Sequence, residues 1–221
     1  MVSVPPGVRH DVPVTPAAAS PRPTRVVEVA PERIDRWVAG FGERHDGVKA
    51  REVDGRVASV AGGDGASAVF EWFPHEPLGV VLVRRGGYAV ALAHAGALTL
   101  HKVGTRHVQS RTAAGGWSQH RFARRRDNQA DALVEAVAGH ALRVLLGGDE
   151  SPRAGARGIP AGLVVGGDRT LAAAVLAESS LRAVAGLPRR ELWDIGDPRR
   201  AVLDDCLRRG RAVRITLTDT P

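Results

Sequence analysis

Residues 78–108 read LGVVLVRRGGYAVALAHAGALTLHKVGTRHV and contain three apolar runs separated by two short breaks. The breaks are RRGG at residues 84–87 and HAGA at residues 94–97. Both are typical of tight turns, because glycine adopts the backbone angles that such turns need. The stretch therefore predicts a meander of three antiparallel strands, around which the rest of the main domain is arranged.

A long amphipathic helix is predicted after the meander. Residues 118–146 have apolar side chains at helical spacing, and Gly147 and Gly148 end the pattern. The predicted core-facing stripe consists of Leu133, Val134, Val137, Ala141, Val144 and Leu145. Ser118 is a residue type that caps helix N-termini.

Strand-like and helical patterns alternate through the remaining residues. They predict a strand at 159–167, a helix at 168–180, a short strand at 182–186, a helix at 198–210 and an edge strand at 211–219. Such alternation indicates an α+β or α/β fold, in which helices cover a mixed sheet made of the meander followed by β-α-β units.

The first 76 residues have a different composition. Residues 1–26 contain six prolines, which predicts a disordered or loosely attached arm. A short helix with Ile34, Trp37 and Phe41 on one face is followed by two strand-like runs joined by GGDG, a hairpin pattern. We expect three parts: the arm at 1–26, a small accessory α+β unit at 27–76, and the main domain at 77–221.

The composition is typical of a globular cytoplasmic protein. Hydrophobic residues make up 43% of the 221 residues, and no apolar run reaches the roughly 18 residues that a membrane span needs. No secretory signal is expected either. The single cysteine, Cys206, lies at helical spacing from Val202, which favours a buried core thiol over a metal ligand.

Positive charge is concentrated in one block. Residues 77–126 contain no Asp or Glu, and the rest of the chain sums to −2 although the whole chain is +7. The cations of the block are Arg84, Arg85, Lys102, Arg106, Arg111, Arg121, Arg124, Arg125 and Arg126. Because ordinary surfaces mix signs, the block predicts a binding surface for a polyanion, with nucleic acid as the leading candidate. A solubilising basic face is the alternative.

A glycine-rich connection joins the third strand to the long helix. Residues 104–117 are too polar to pack, and loops of this length are usually functional or disordered. At its tip, Trp117 can stack on a base or fold back on the core. The cations continue onto the helix, where Arg121 and Arg125 share a face and Arg124 lies beside them. A helix N-terminus itself attracts anions.

The usual catalytic sets are missing from this block. Without carboxylates it has no paired acids, no serine triad and no cage for magnesium. The histidines His94, His101, His107 and His120 leave open a zinc cluster or a metal-free nuclease pair of His107 and His120. No Cys or acidic residue stands at ligand spacing to complete a metal site.

Two of the three glutamines of the chain, Gln109 and Gln119, lie in the loop and on the first helical turn. An amide is a poor base, but it can orient a water or stabilise an oxyanion without carrying charge. That suffices for an activated ester that RNA already holds in place, such as the ester of peptidyl-tRNA. Gln129, beside Asn128 in the helix, is expected at the surface.

The segment GGWSQHRFARRR at residues 115–126 resembles the Gly-Gly-Gln region of eukaryotic and archaeal class 1 release factors, whose tip precedes a Ser-Ala-Leu-Arg-Phe-Ala-Arg helix start. The matching positions are Gly115, Gly116, Ser118, Arg121, Phe122, Ala123, Arg124 and Arg126. Trp117 replaces the catalytic glutamine of those factors. The chain is therefore more similar to the release-factor-like, VLRF-type peptidyl-tRNA hydrolases of ribosome quality control, in their actinobacterial branch. Their essential glutamine lies upstream in a Gln-Ser context, as Gln109 does here.

The resemblance implies the fold of the catalytic middle domain of class 1 release factors, with a small α+β N-terminal extension. It implies hydrolysis of peptidyl-tRNA on stalled ribosomes or large subunits, with Gln109 favoured over Gln119 for positioning water. Gly115, Gly116 and Ser118 would shape the loop backbone. The expected RNA-binding residues are Arg106, Arg111, Trp117, Arg121, Arg124, Arg125 and Arg126.

The expected partners are the large ribosomal subunit, rRNA and peptidyl-tRNA. We expect a monomer with no membrane partner, no cofactor and no metal. A second function class stays open, a non-catalytic RNA-binding or ribosome-associated module whose loop only docks. Reading of stop codons is not expected, since no recognition domain of adequate size precedes residue 77.

Overall fold

The computed structural model describes residues 24–54, 57–105, 118–147 and 159–219, with the side chains of all of these except 52–54, 57 and 118–127. Within these ranges the chain forms two five-stranded sheets. The strands are β1 (Thr24–Val29), β2 (Val48–Asp54), β3 (Val57–Gly62), β4 (Ser67–Glu71), β5 (Leu78–Arg84), β6 (Gly87–His94), β7 (Ala97–Thr105), β8 (Gly162–Gly167), β9 (Arg189–Leu192) and β10 (Val213–Thr218). The α-helices are α1 (Ile34–Arg44), α2 (Ser118–Ala141), α3 (Arg169–Ala177), α4 (Arg182–Ala185) and α5 (Arg200–Arg211). Of these described helices, none combines the length and apolar character needed to cross a membrane.

The second sheet contains the predicted meander. Its strand order is β7-β6-β5-β8-β9. β5 pairs with β6 in antiparallel register from Leu78–Ala93 to Arg84–Gly87, and Gly87 in turn faces Thr105 on the antiparallel strand β7. β8 joins β5 in parallel, and β9 joins β8 in parallel. The sheet is mixed and covered by helices, which confirms the predicted fold class.

Helices cover both faces of this sheet. On one face, α2 and α3 share a core cluster with β5 and β6, and the predicted α2 stripe is buried or partly buried there. On the other face, α5 buries Leu203, Cys206 and Leu207. The burial of Cys206 confirms the predicted core thiol, and desolvation raises its pKa to about 11.

α2 is the long helix that the sequence predicts. It begins at Ser118, runs for 24 residues and continues as one π-helical turn over Leu142–Leu146. Gly147 ends it with a φ of 85°, a left-handed conformation that glycine adopts without strain. Among the described side chains the core stripe begins at Ala130. The residues before it make up roughly 18 Å of helix.

The first sheet has the order β1-β10-β4-β3-β2, and all of its neighbouring strands are antiparallel. The hairpin of β3 and β4 confirms the GGDG pattern. α1 confirms the predicted helix and is preceded by a 3-10 turn at Pro31–Arg33. The helix buries Ile34 and Phe41, and Trp37 meets Phe70 edge-on at 5.4 Å.

Two predicted elements are wrong in the second half of the chain. The predicted edge strand at 211–219 is β10, which lies inside the first sheet between β1 and β4. The strand predicted at 182–186 is helical, because Leu181 and Val184 are buried at helical spacing around a turn. The strand of this region is β9, where buried Arg190 and Leu192 alternate with exposed residues.

The N-terminal boundary also shifts. β1 begins at Thr24, so the last three residues of the predicted arm belong to the first sheet, and the rest of the arm lies outside the described residues. Since β10 lies between β1 and β4, this sheet includes the last described strand of the chain. The division into domains at residue 77 stays a prediction.

One buried arginine joins the two sheets. Arg190 on β9 is 7% exposed, and its Nη1 donates hydrogen bonds to the carbonyl oxygens of Arg209 at 2.9 Å and Ala212 at 2.5 Å. Its guanidinium lies 5.0 Å from the centre of the Phe73 ring. Burial lowers the pKa of Arg190, but an arginine stays charged in proteins. These contacts tie the junction of α5 and β10 to β9.

The packing of α5 can be tested at Gly210. A Cβ at this position would lie 2.3 Å from Cγ2 of Val164 on β8. We expect Gly210→Ala to lower the free energy of unfolding by about 1–3 kcal/mol in urea denaturation, because overpacking outweighs the gain in helix propensity.

Gly186→Ala is the matched control. Nothing lies within 4 Å of a Cβ there, and the φ of Gly186 is −94°, so alanine should be neutral or slightly stabilising. Equal effects of the two substitutions would contradict the close approach of α5 to β8.

Candidate functional site

One edge of the second sheet collects the ends of four strands. β7 is parallel to β5 because each pairs antiparallel with β6, and β8 and β9 are parallel to β5 as well. The carboxyl ends of these strands, at Thr105, Arg84, Gly167 and Leu192, therefore lie along the same edge. Ligands of open sheets with parallel strands bind outside the carboxyl ends. The connection between β7 and α2 leaves the sheet from this edge.

A small cleft opens at this edge. It is lined by the turn between β5 and β6, by the start of α3 and by residues that follow β9, including Trp193 and Asp197. Gly167 has a φ of 98°, and a Cβ there would lie 2.2 Å from the carbonyl oxygen of Val83. The guanidinium of Arg169 lies 5.2 Å from the centre of the Trp193 ring. The cleft thus offers an aromatic ring stacked with a cation.

Acidic groups limit the positive charge of the cleft. Asp168 caps α3 by accepting hydrogen bonds from the backbone N–H groups of Thr170 at 3.0 Å and Leu171 at 3.2 Å. The cap occupies N–H donors that an anion would otherwise use. Trp193 donates from Nε1 to the Glu191 carboxylate at 3.1 Å. The cleft itself is therefore of mixed charge.

The predicted cations of the sheet divide into two kinds. Arg84 donates a hydrogen bond to the carbonyl oxygen of Ile195 at 2.6 Å, so it serves the structure. Arg85 and Lys102 are exposed, and neither has a carboxylate partner within the described ranges. Of these three residues, Arg85 and Lys102 therefore have side chains that could bind a polyanion, whereas Arg84 does not.

A glycine, a tyrosine and a histidine fasten the end of β7 to α2. A Cβ at Gly104 would lie 2.4 Å from Cζ of Tyr88, so the Tyr88 ring lies directly against the β7 backbone. The ring stacks on His140 of α2, with centres 5.2 Å apart. Arg143 Nη2 donates to His140 Nδ1 at 2.8 Å, which requires that nitrogen to be unprotonated.

The electrostatics of His140 agree with this geometry. Burial is the main cause that lowers its pKa, and the charges of Arg143 and Lys102 lower it further. A neutral imidazole stacks on Tyr88 and accepts from Arg143, whereas a charged one would meet two nearby cations. The base of the loop is thus held by a contact that favours the neutral histidine.

Several predicted site residues lie at the start of α2. Ser118, Gln119, Arg121, Arg124, Arg125 and Arg126 occupy its first turns. At about 100° per residue, positions 119 and 126 fall on the same side of the helix axis as the buried stripe. Positions 121 and 125 fall on the opposite side. Position 119 and positions 121 and 125 therefore fall on opposite sides of the helix axis.

The remaining predicted site residues lie outside the described residues. They are Arg106, Gln109, Arg111, Gly115, Gly116 and Trp117. His107 of the nuclease hypothesis lies there too, and the side chain of His120 is also outside the description. The preference for Gln109 over Gln119 as the catalytic residue thus stays a prediction.

The two described histidines of the basic block have other partners. His94 Nδ1 contacts the carboxylate of Glu76, and His101 Nε2 lies 3.2 Å from Nη1 of Arg200. No group of three His, Cys, Asp or Glu side chains able to hold a metal occurs in the part of the chain that the structure describes.

Comparison with known families assigns the chain. Residues 76–216 match the family model described as the Actinobacteria/chloroflexi VLRF1 release factor. The chain belongs to this family. The match begins just before β5, covers the meander, the loop and α2, and ends within β10. Membership implies a release-factor-like role connected with the ribosome. No curated protein matches the chain.

Sequence reasoning missed two features of the site that lie within the family match. Arg169 follows β8 and Trp193 follows β9, and no local sequence pattern indicates that these two positions meet. The Tyr88–His140 stack joins a strand to a helix 52 positions later in the numbering. A sequence signal exists for the second, since Gly104 interrupts a strand and such glycines mark the close approach of another group.

The neutral state of His140 predicts a pH effect on stability. Its folded pKa lies below the usual value of about 6.5, so the unfolded chain binds the proton more readily. The stability that neutral His140 contributes is present above the pKa of the unfolded state and is lost as the pH falls through the pKa of the folded state. We expect urea denaturation to show a larger loss of stability for wild type than for His140→Gln between about pH 7 and pH 5. An ordinary pKa for His140 in an NMR titration would contradict the assignment.

Proposed function

We propose that the protein hydrolyses the ester of peptidyl-tRNA on stalled ribosomes or large subunits, as a cytoplasmic factor of ribosome rescue and quality control. The family match over residues 76–216 carries the proposal, because it spans both the loop and α2. The reaction needs no cofactor. Its partners are the large subunit, its rRNA and the peptidyl-tRNA.

The placement of β7 and α2 supports this function. β7 ends at the edge where the parallel strands end, and the loop starts from there. α2 is anchored by its second half, so its first three turns extend before the core stripe. A loop and helix start of this kind can enter a narrow RNA-lined space while the sheet remains outside.

The proposed chemistry is the addition of water to an ester. The water oxygen bonds to the carbonyl carbon, and the bond from that carbon to the ribose oxygen breaks. One water proton ends on the ribose hydroxyl and the other on the new peptide carboxylic acid. The Gln109 amide would align the water and donate to the developing oxyanion, while the ribosomal RNA fixes the substrate. Gln119 is the second candidate for this role.

The arginines of α2 would hold the protein against RNA. Arg121, Arg124, Arg125 and Arg126 follow one another on a rigid helix, where guanidinium groups can bind phosphates with two parallel hydrogen bonds. Gly115 and Gly116 would let the loop backbone approach the RNA closely, and Ser118 would shape its end where α2 begins. Trp117, with Arg106 and Arg111 in the loop, would add stacking and charge at the tip.

The glutamines provide the direct test. On large subunits carrying peptidyl-tRNA, we expect Gln109→Ala to slow peptide release by about 10²–10³-fold, because the lost amide stabilises the transition state. The readout is the fraction of peptide still attached to tRNA over time. Gln119→Ala should reduce the rate less, and Gln129→Ala is the control that should leave it unchanged.

Two results would contradict this assignment. Release at the wild-type rate by both Gln109→Ala and Gln119→Ala would exclude an amide mechanism. Cleaved RNA backbone in place of intact deacylated tRNA would favour the nuclease hypothesis with His107 and His120.

The arginines test binding separately from chemistry. Arg124→Ala and Arg125→Ala should each weaken binding to large subunits and reduce the salt dependence of log K by about 0.9 per lost phosphate contact. Arg182→Ala, at an exposed position on α4, is the control for the same loss of charge. If binding depends on these arginines while neither wild type nor the glutamine variants release peptide, the protein is instead a non-catalytic ribosome-associated module.

A further inference from the structure

A basic groove is lined mainly by residues of the N-terminal part of the chain. It has a volume of about 420 Å³ and runs between α1 and the end of α5. The lining residues that give it its character are Arg33, Arg36, Trp37, Gly40 and Arg44 from the first helical segment and Arg208 from α5. We call this feature the α1 groove.

Helical spacing brings these side chains to one side. Positions 33, 36, 37, 40 and 44 follow the spacing of a single helix face. Glu43 lies seven positions after Arg36 and so close to the same face, but neither Glu43 nor Asp35 lines the groove. Glu32 is paired with Arg211.

Three of the four arginines have no acidic partner among the side chains that the structure describes. Within the described ranges no carboxylate lies within ion-pair distance of Arg33, Arg36 or Arg44. Arg208 is paired with Asp205. The nearest carboxylate in the lining, Glu28, lies 3.4 Å from Nε of Arg214. Like charges gathered without counter-charges are unfavourable unless an anion neutralises them.

The floor of the groove is open because a glycine lies in the helix. A Cβ at Gly40 would stand 3.4 Å from Nη1 of Arg44, so any side chain would enter the space between the arginines. Glycine weakens a helix interior, which makes its presence there notable. Trp37 is fixed from below, stacked on Phe41 at 5.7 Å and edge-on to Phe70. Trp37 thus forms a well-packed aromatic wall of the groove.

We propose that the α1 groove binds the phosphate backbone of RNA as a second contact, independent of the loop. Arg33 and Arg44 are eleven residues apart, about 16 Å along a helix. One nucleic-acid strand in a duplex places a charge about every 3.4 Å along the axis, so a row of this length faces several phosphates. Arginine forks suit phosphate oxygens geometrically.

The choice of RNA rests on the proposed function, since a ribosomal factor meets RNA as its main polyanion. The groove itself does not depend on it. α1 lies outside residues 76–216, so the family match does not assign this surface. Its concave form also suits a strand better than a flat lipid surface. An acidic protein segment is the competing occupant.

The test compares two charge-reversal pairs in the full-length protein. Anisotropy of a fluorescein-labelled RNA hairpin gives the Kd for wild type, for Arg36→Glu/Arg44→Glu and for the control Arg51→Glu/Arg182→Glu. Both pairs change the net charge equally. We expect the groove pair to raise the Kd at least tenfold and to lower the salt slope by about 2, while the control raises the Kd only a few-fold.

A milder set removes doubt about folding. Arg33→Gln/Arg36→Gln/Arg44→Gln keeps exposed polar side chains, and thermal melting should match wild type while RNA binding falls. An equal loss of affinity for the RNA hairpin in the two charge-reversal pairs would overturn the proposal. So would displacement of the hairpin by polyglutamate as effective as displacement by unlabelled RNA, because that result would favour an acidic protein segment.

The groove and the reaction can fail separately. At saturating protein the groove pair should release peptide from peptidyl-tRNA at the wild-type maximal rate, but only at higher protein concentration. If wild type releases nothing and the two pairs still differ in RNA binding, the proposed reaction is wrong and the groove stands. If wild type is active and the two pairs bind RNA alike, the groove proposal alone is wrong.

Discussion

The burial of the second half of α2 is the interaction on which the functional region depends. Leu133, Val137 and Ala141 are inaccessible to solvent in a cluster with β5 and β6. This packing fixes the direction of the whole helix, because a helix without breaks transmits the position of its anchored turns to its free ones. The backbone of the first turns therefore keeps a fixed direction relative to the second sheet.

The same helix also holds the other end of the loop. Tyr88 lies against Gly104 at the end of β7 and stacks on His140 of α2. His140 is about 33 Å along the helix axis from Ser118, where α2 begins. One side of the connection is thus fastened to the anchored half of α2, and the other side starts at its far tip. This arrangement fixes where the connection starts and where it ends relative to the second sheet.

Periodicity predicted the elements whose environment is uniform along their length. β5 and β6 of the meander are continuous apolar runs buried on both faces, and the α2 stripe is buried on one side, so both patterns can be recognised in the sequence. Local pattern failed where tertiary contacts decide. At 182–186 a short apolar run suits strand and helix alike, and the burial of Val184 beside α3 selects the helix. β9 was missed because its buried Arg190 reads as a surface residue until its three carbonyl partners are known. The loop sequence has no periodic pattern, so the role of Gln109 has to be tested by experiment.

α5 places the two basic regions in a fixed relation. Leu203, Cys206 and Leu207 bury one side of this helix against the second sheet, from whose edge the loop departs. Arg208 on the same helix lines the α1 groove. The chain then enters β10 almost at once, and Arg190 binds that junction. An RNA strand bound in the groove would therefore constrain the direction of the loop. Two weak electrostatic contacts would then together select one orientation of the protein on ribosomal RNA, whose phosphates attract cations everywhere.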